Sequence, residues 1–236
     1  MRYNEIVNFL LTGGDDIMTK KEKGAEVVHI LKEHYPDTCS LEAQKDYELL
    51  FATRLSAQCT DARVNLVTAV LYEKYPTLES LAGADLEDLC AIVKPCGLFR
   101  TKANDIKNAS IMLLEQYGGK VPDSMEELLK LPGIGRKTAN LILSDIYGQP
   151  AIVADTHCIR ISNKLGLTTK DCGKDPYKVE MALKKVIEPQ EQASLCHRFV
   201  HFGRDICTAR SPQCAICPLN HLCAEYLAQQ KKKAKA

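Results

Sequence analysis

What this sequence has little of narrows it first. Neither sign of charge dominates: Lys and Arg number 31 against 30 Asp and Glu, a formal net charge of +1 over 236 residues. Such near-neutrality argues against a protein that holds nucleic acid by bulk positive charge. No apolar run approaches the roughly 18–20 residues that a bilayer-spanning helix needs. The start, Met1 to Leu11, is interrupted by Glu5 and Asn8, and no small-residue cleavage site follows. That argues against a secretory leader and for the cytoplasm. Met18 offers an alternative initiator, so residues 1–17 read as an N-terminal extension. Period-two alternation is nearly absent. Ala151–Ala154 is the only short β-like run, too short to found a sheet. There is no internal repeat.

What is present is ordinary globular composition, 45% hydrophobic and 26% charged, enough for one large domain or two small ones. The charge is unevenly placed. Residues 1–118 carry 13 basic and 18 acidic side chains, residues 119–236 carry 18 and 12. A split of this kind hints at an anionic partner for the basic half. Helical periodicity predicts helices over 42–55, 62–75, 85–93, 103–117, 125–130, 136–147, 156–165, 176–187 and 191–202. Tyr35-Pro36, Tyr75-Pro76, Lys94-Pro95, Gly118-Gly119, Gln149-Pro150 and Gly166 punctuate them. The expected fold class is all-α. The tail, residues 229–236 with Lys231, Lys232, Lys233 and Lys235, reads as a disordered solubilising end rather than a phosphate-binding arm.

Eleven cysteines are many, and in a reducing compartment they are not a disulfide framework. Seven are scattered (Cys39, Cys59, Cys90, Cys96, Cys158, Cys172, Cys196) and read as small buried apolar residues. Four crowd together as Cys207-x6-Cys214-x2-Cys217-x5-Cys223, enough thiolates to enclose an iron–sulfur cluster or a structural zinc. Two Cys-x-x-Cys knuckles would suit zinc better, and this segment has one.

The most informative stretch is Leu131-Pro-Gly-Ile-Gly-Arg-Lys-Thr-Ala-Asn140. Gly133 and Gly135 around Ile134 form a tight turn that lets backbone approach a ligand while the isoleucine pins the turn to the core. Amides at the start of the following helix make a phosphate seat, with Arg136 beside it. This hairpin, Val153-Ala-Asp-Thr-His157, Leu55-Ser-Ala-Gln-Cys-Thr-Asp61 and the cysteine set occur in this order, and over residues 20–226 the chain resembles the endonuclease III family of helix-hairpin-helix DNA glycosylases.

The resemblance implies a helix-hairpin-helix glycosylase fold. A six-helix bundle lobe, 39–149, carries the hairpin; a second lobe, 18–38 with 150–228, carries a 4Fe-4S cluster on Cys207, Cys214, Cys217 and Cys223. It implies Lys137 as the catalytic nucleophile. At the helix start, the dipole's positive end and Arg136 disfavour an ammonium, and an amine can attack C1′ and remain bound as a Schiff base. Asp155, otherwise a helix N-cap, becomes the catalytic carboxylate. Gln58 and Leu98 become the side chains that fill the duplex when a base is taken out of the stack, and His157 lines the pocket or meets phosphate. The loop Thr208–Gln213 carries only Arg210, fewer basic residues than the family pattern, so phosphate contact leans more on Arg136 and Arg204, with the lysine tail as the alternative source of charge. The implied activity is removal of oxidised pyrimidines from double-stranded DNA, then β-elimination at the abasic site. The implied protein is a monomer with no membrane, in the cytoplasm of a bacterium or archaeon. The rivals are a monofunctional mismatch or adenine glycosylase, disfavoured by Lys137, and a non-catalytic iron–sulfur DNA-binding or redox module.

Overall fold

A computed structural model describes residues 18–234; the expected extension at 1–17 and Lys235 of the tail lie outside the described residues. Among the described residues there are twelve α-helices, short 3-10 turns and no strand. The helices are α1 (Lys20–His34), α2 (Asp46–Leu55), α3 (Asp61–Lys74), α4 (Leu78–Ala82), α5 (Leu86–Val93) and α6 (Phe99–Tyr117). They continue as α7 (Met125–Leu128), α8 (Arg136–Asp145), α9 (Thr156–Leu165), α10 (Pro176–Val186), α11 (Gln192–Asp205) and α12 (Ala224–Lys233). None is long and apolar enough to cross a membrane.

The starts are set chemically. Thr60, Thr77, Asp85, Ser124, Asp155 and Asp175 each accept a hydrogen bond from a first-turn amide of the helix they precede. Gly166, in the left-handed region at φ 78°, ends α9 where the sequence placed a stop. Helices α4 and α5 pack on α6, α3 packs on α2 and α5, and α8 lies against α2 and α7. Helix α9 packs on α11 and α12, while α1 packs on α10 and α11. Contact between α8 and α11 joins the two groups, and one apolar core runs through both, from Leu50, Phe51 and Ile106 to Ile161 and Phe199.

The predicted helices recur, with informative differences. Apolar spacing predicts a start at 103, but α6 begins at Phe99, because a 3-10 turn at Lys94–Cys96 hands the chain to Leu98 as N-cap. Helix α1 is absent from the periodicity reading, although Thr19 and Glu22 form a reciprocal capping box. The tail also differs: Gln229–Lys233 continue α12 rather than lying disordered. Glu225 ties α12 to Lys164 of α9 at 2.8 Å, and Lys231–Lys233 occupy the last turn, where the helix dipole favours cations.

In the capping box, Oε2 of Glu22 accepts from the Thr19 amide at 2.7 Å and Thr19 Oγ1 accepts from the Glu22 amide at 3.3 Å. Thr19→Ala is expected to cost about 1 kcal/mol, lowering the melting temperature by about 2–4 °C in a chain of this size. An unchanged thermal melt would show that packing on α10 and α11 alone holds α1.

Candidate active site

Lys137, Asp155, Gln58 and His157, taken from three separate stretches of sequence, line one cleft of about 890 Å³, a volume suited to an extruded nucleotide. The hairpin positions the lysine. Gly133 sits at φ +73°, and a Cβ there would stand 2.3 Å from Asp105 Oδ2 and 2.5 Å from Arg54 Nε. The turn therefore rests directly on the Arg54–Asp105 ion pair, whose Nη2 and Oδ2 lie 2.6 Å apart. Ile134 is buried and anchors the turn. Gly135 differs: its backbone is extended at φ −102°, and a Cβ would meet nothing within 4 Å. As N-cap of α8 it offers no side-chain oxygen, so the chain does not cap the first-turn amides. Lys137 projects from this turn and is exposed.

The carboxylate arrives on an extended segment, Pro150–Asp155, whose Ala151–Ala154 are buried. Asn140 Nδ2 of α8 donates to the Ile152 carbonyl at 3.1 Å, and the Val153 amide donates to Cys196 Sγ of α11 at 3.3 Å. Asp155 then caps α9, its Oδ1 accepting from the Cys158 amide at 2.7 Å. That bond fixes where the carboxylate points. Arg160 Nη2 lies 3.1 Å from His157 Nδ1. A guanidinium only donates, so Nδ1 accepts and the ring proton resides on Nε2. Burial, helped by Arg160 and Arg204 and opposed by Asp155, holds the His157 pKa below its ordinary value. The imidazole is thus a neutral donor in the cleft wall. Gly203 makes room for it, since a Cβ there would meet His157 Nδ1 at 2.3 Å.

Gln58 and Leu98 share a property that sequence reading did not supply. Among the described residues they are the only non-glycine positions with positive φ, at 57° and 47°. Each such conformation costs on the order of 1–3 kcal/mol and tends to mark functional sites. Both are exposed, Leu98 at 56% despite being apolar. Between them lies Lys102, a wholly buried lysine on α6. Sequence reasoning assigned it no role, and nothing in the local pattern would have.

Cys207, Cys214, Cys217 and Cys223 are unpaired, half-buried, and line one cavity between α9, α11 and α12. Of the seven scattered cysteines, Cys90, Cys96, Cys158, Cys172 and Cys196 are buried and Cys39 and Cys59 half-buried. Cys39 lies within 4.8 Å of the His197–Asp145 pair in the cleft wall, its thiol pushed up to about 11 chiefly by burial.

Residues 51–189 match the HhH-GPD superfamily of base excision DNA repair proteins. Residues 207–223 match the iron–sulfur binding domain of endonuclease III. Endonuclease III of Synechocystis is 43% identical over 87% of this chain and 93% of its own length; that of Bacillus subtilis is 45% identical over 82% and 88%. The chain belongs to the endonuclease III family. A solved structure of a trapped endonuclease III–DNA covalent intermediate superposes with a TM-score of 0.83 at 42% identity, covering 91% of this chain and 100% of that one.

The cysteine cage fits the iron–sulfur group of the endonuclease III family. The four thiols line one cavity, and four thiolates are the donor set of a 4Fe-4S cluster. Burial and the neighbouring thiols raise Cys217 to about 11, a repulsion that a cationic core relieves. Arg160, which donates to the Cys207 carbonyl at 2.8 Å, keeps a buried Nε without an acceptor.

The expected phosphate-binding arginines are partly committed elsewhere. Arg136 makes a two-pronged pair with the buried Glu180 at 2.7 and 2.8 Å and stacks 4.8 Å from the Tyr177 ring centre. It holds the hairpin helix against α10. Arg204 pairs with Asp61 at 2.6 Å. Arg210 is exposed in the loop before Cys214.

The two hairpin glycines are expected to separate in behaviour. Gly133→Ala should lower the melting temperature markedly, because left-handed φ and the Asp105–Arg54 clash both oppose a Cβ. Gly135→Ala should leave stability nearly unchanged while weakening duplex affinity in a gel-shift titration. Equal melting losses in both variants would rule out this division.

Proposed function

We propose that this protein is a bifunctional DNA glycosylase and abasic-site lyase of base excision repair, removing oxidised pyrimidines from duplex DNA and cutting the strand 3′ to the abasic site. The observation that carries the reading is the meeting of an exposed Lys137, at an uncapped helix start, with Asp155 in one nucleotide-sized cleft. Its likeness to an endonuclease III trapped covalently on DNA supports the same chemistry.

In this reading the uncapped amides of α8 and Gly135 seat a phosphate flanking the lesion. Gln58 enters beside the estranged base, and Leu98 keeps stacking contact. The glycosidic bond breaks with its electron pair leaving on the base, while Lys137 Nζ bonds to C1′. Asp155 stabilises the cationic sugar and takes the proton the amine sheds, a contribution of about 10²–10⁴-fold. Ring opening leaves an iminium on Lys137, which acidifies the 2′ proton. Its loss expels the 3′ phosphate, and water then frees the lysine. His157 Nε2–H supplies a neutral donor in the wall.

Cys207, Cys214, Cys217 and Cys223 hold a 4Fe-4S cluster. Cys207 just past the end of α11, Cys214 and Cys217 in the loop that follows, and Cys223 at the start of α12 would be its ligands, and the cluster would supply a structural cross-link there. The chain divides functionally into a lobe at 39–149 that brings Lys137 and a lobe of 18–38 with 150–228 that brings Asp155; the packing within each helix group supports this. The protein works in the cytoplasm, on the chromosome.

Borohydride trapping tests the central claim. Lys137→Ala is expected to abolish the covalent protein–DNA adduct, and Asp155→Asn to slow excision about 10²–10⁴-fold while retaining lesion binding. An adduct at normal yield in Lys137→Ala excludes the lysine assignment. The purified protein is expected to be brown, with visible absorption that bleaches on acidification; a colourless, zinc-containing protein would overturn the cluster.

A further inference from the structure

The Lys102 side chain has 0% exposure, an unusual place for an ammonium. Its Nζ donates to the carbonyls of Leu55 at 2.8 Å, Ala57 at 2.7 Å and Cys96 at 2.8 Å. Three acceptors meet three N–H donors, so the group is fully satisfied as a cation. The acceptors belong to two loops. Leu55 ends α2 and Ala57 immediately precedes Gln58; Cys96 ends the 3-10 turn two residues before Leu98. One buried ammonium therefore ties together the backbone just ahead of the two strained, exposed residues at φ 57° and 47°.

We propose that Lys102 is a positioning residue that locks the Gln58 and Leu98 loops into a single rigid wedge for opening the duplex. The inference rests on the reading of Gln58 and Leu98 as the side chains that enter the helix stack. Without the tie, each loop is free to relax toward ordinary backbone geometry, and both side chains must be ordered at the moment of binding. The ordering cost then falls on the step in which the base leaves the stack, not on the chemistry at C1′. Three carbonyls at one point suit an ammonium; a methionine of similar length offers them nothing.

The test compares two substrates that differ only in whether opening is needed: an oxidised thymine paired in a duplex, and the same lesion within an unpaired bubble. For Lys102→Met, the ratio of kcat/KM on paired to bubble substrate is expected to fall about tenfold or more. Lys102→Gln keeps two N–H donors and is expected to show a smaller fall in the same ratio; it carries the comparison if the methionine variant does not fold. An unchanged ratio, including equal loss on both substrates, overturns the proposal. Gln58→Ala and Leu98→Ala are measured alongside. If both keep the wild-type ratio, the wedge reading itself falls; if both lose it while the Lys102 variants do not, only the role of Lys102 falls.

Discussion

The join between α8 and the extended segment Pro150–Asp155 governs the rest of the site. Lys137 belongs to the helix and Asp155 to the end of the segment, and neither has meaning without the other. A buried amide, Asn140 Nδ2, holds the Ile152 carbonyl, while Cys196 accepts the amide of Val153. An extended run with buried backbone would leave its polar groups orphaned unless neighbours supplied partners. Here the partners come from α8 and α11. The same hydrogen bonds that make the segment tolerable also register the lysine helix against the carboxylate and bring the two helix groups together.

Around this join the fold places its rigid parts where a flexible ligand must be handled. The hairpin turn rests on an ion pair so closely that only glycine fits at 133. The following helix begins without a side-chain cap, whereas Thr60, Asp85 and Asp155 cap theirs. Strain is kept at Gln58 and Leu98, the two exposed tips, and the buried Lys102 lies behind both. The net charge of +1 is consistent with this arrangement. In the proposed function, contact with an anionic backbone rests on oriented amides and a few side chains, since two of the expected arginines bind carboxylates within the chain.

Much of this was legible in the sequence because local chemistry dictates it. Apolar spacing of 3.6 residues identified most of the helices, Gly166 marked the end of α9, and the Gly133-Ile-Gly135 turn was plain before any coordinates. The cysteine spacing pointed to a thiolate cage. What local pattern missed has identifiable reasons. Helix α1 carries a capping box but a weak apolar stripe. The lysines of α12 looked like a disordered tail because the partner that holds the helix, Lys164, is far away in sequence. Arg136 looked free for phosphate because Glu180, its partner, lies 44 residues downstream.

By itself the sequence determined the all-α class, the hairpin and the family, and singled out Lys137 and Asp155 as candidates for the chemistry, since turn geometry, helical period and motif spacing act over a few residues. Tertiary structure alone decided which of those side chains share a cleft, which cations are neutralised by distant carboxylates, and that Gln58 and Leu98 are the strained positions. It also gave Lys102 its significance. A lysine three residues into a helix carries no signal of burial; only the convergence of two loops, Gln58 and Leu98 being 40 residues apart along the chain, supplies three carbonyls at one point and makes a buried ammonium stable.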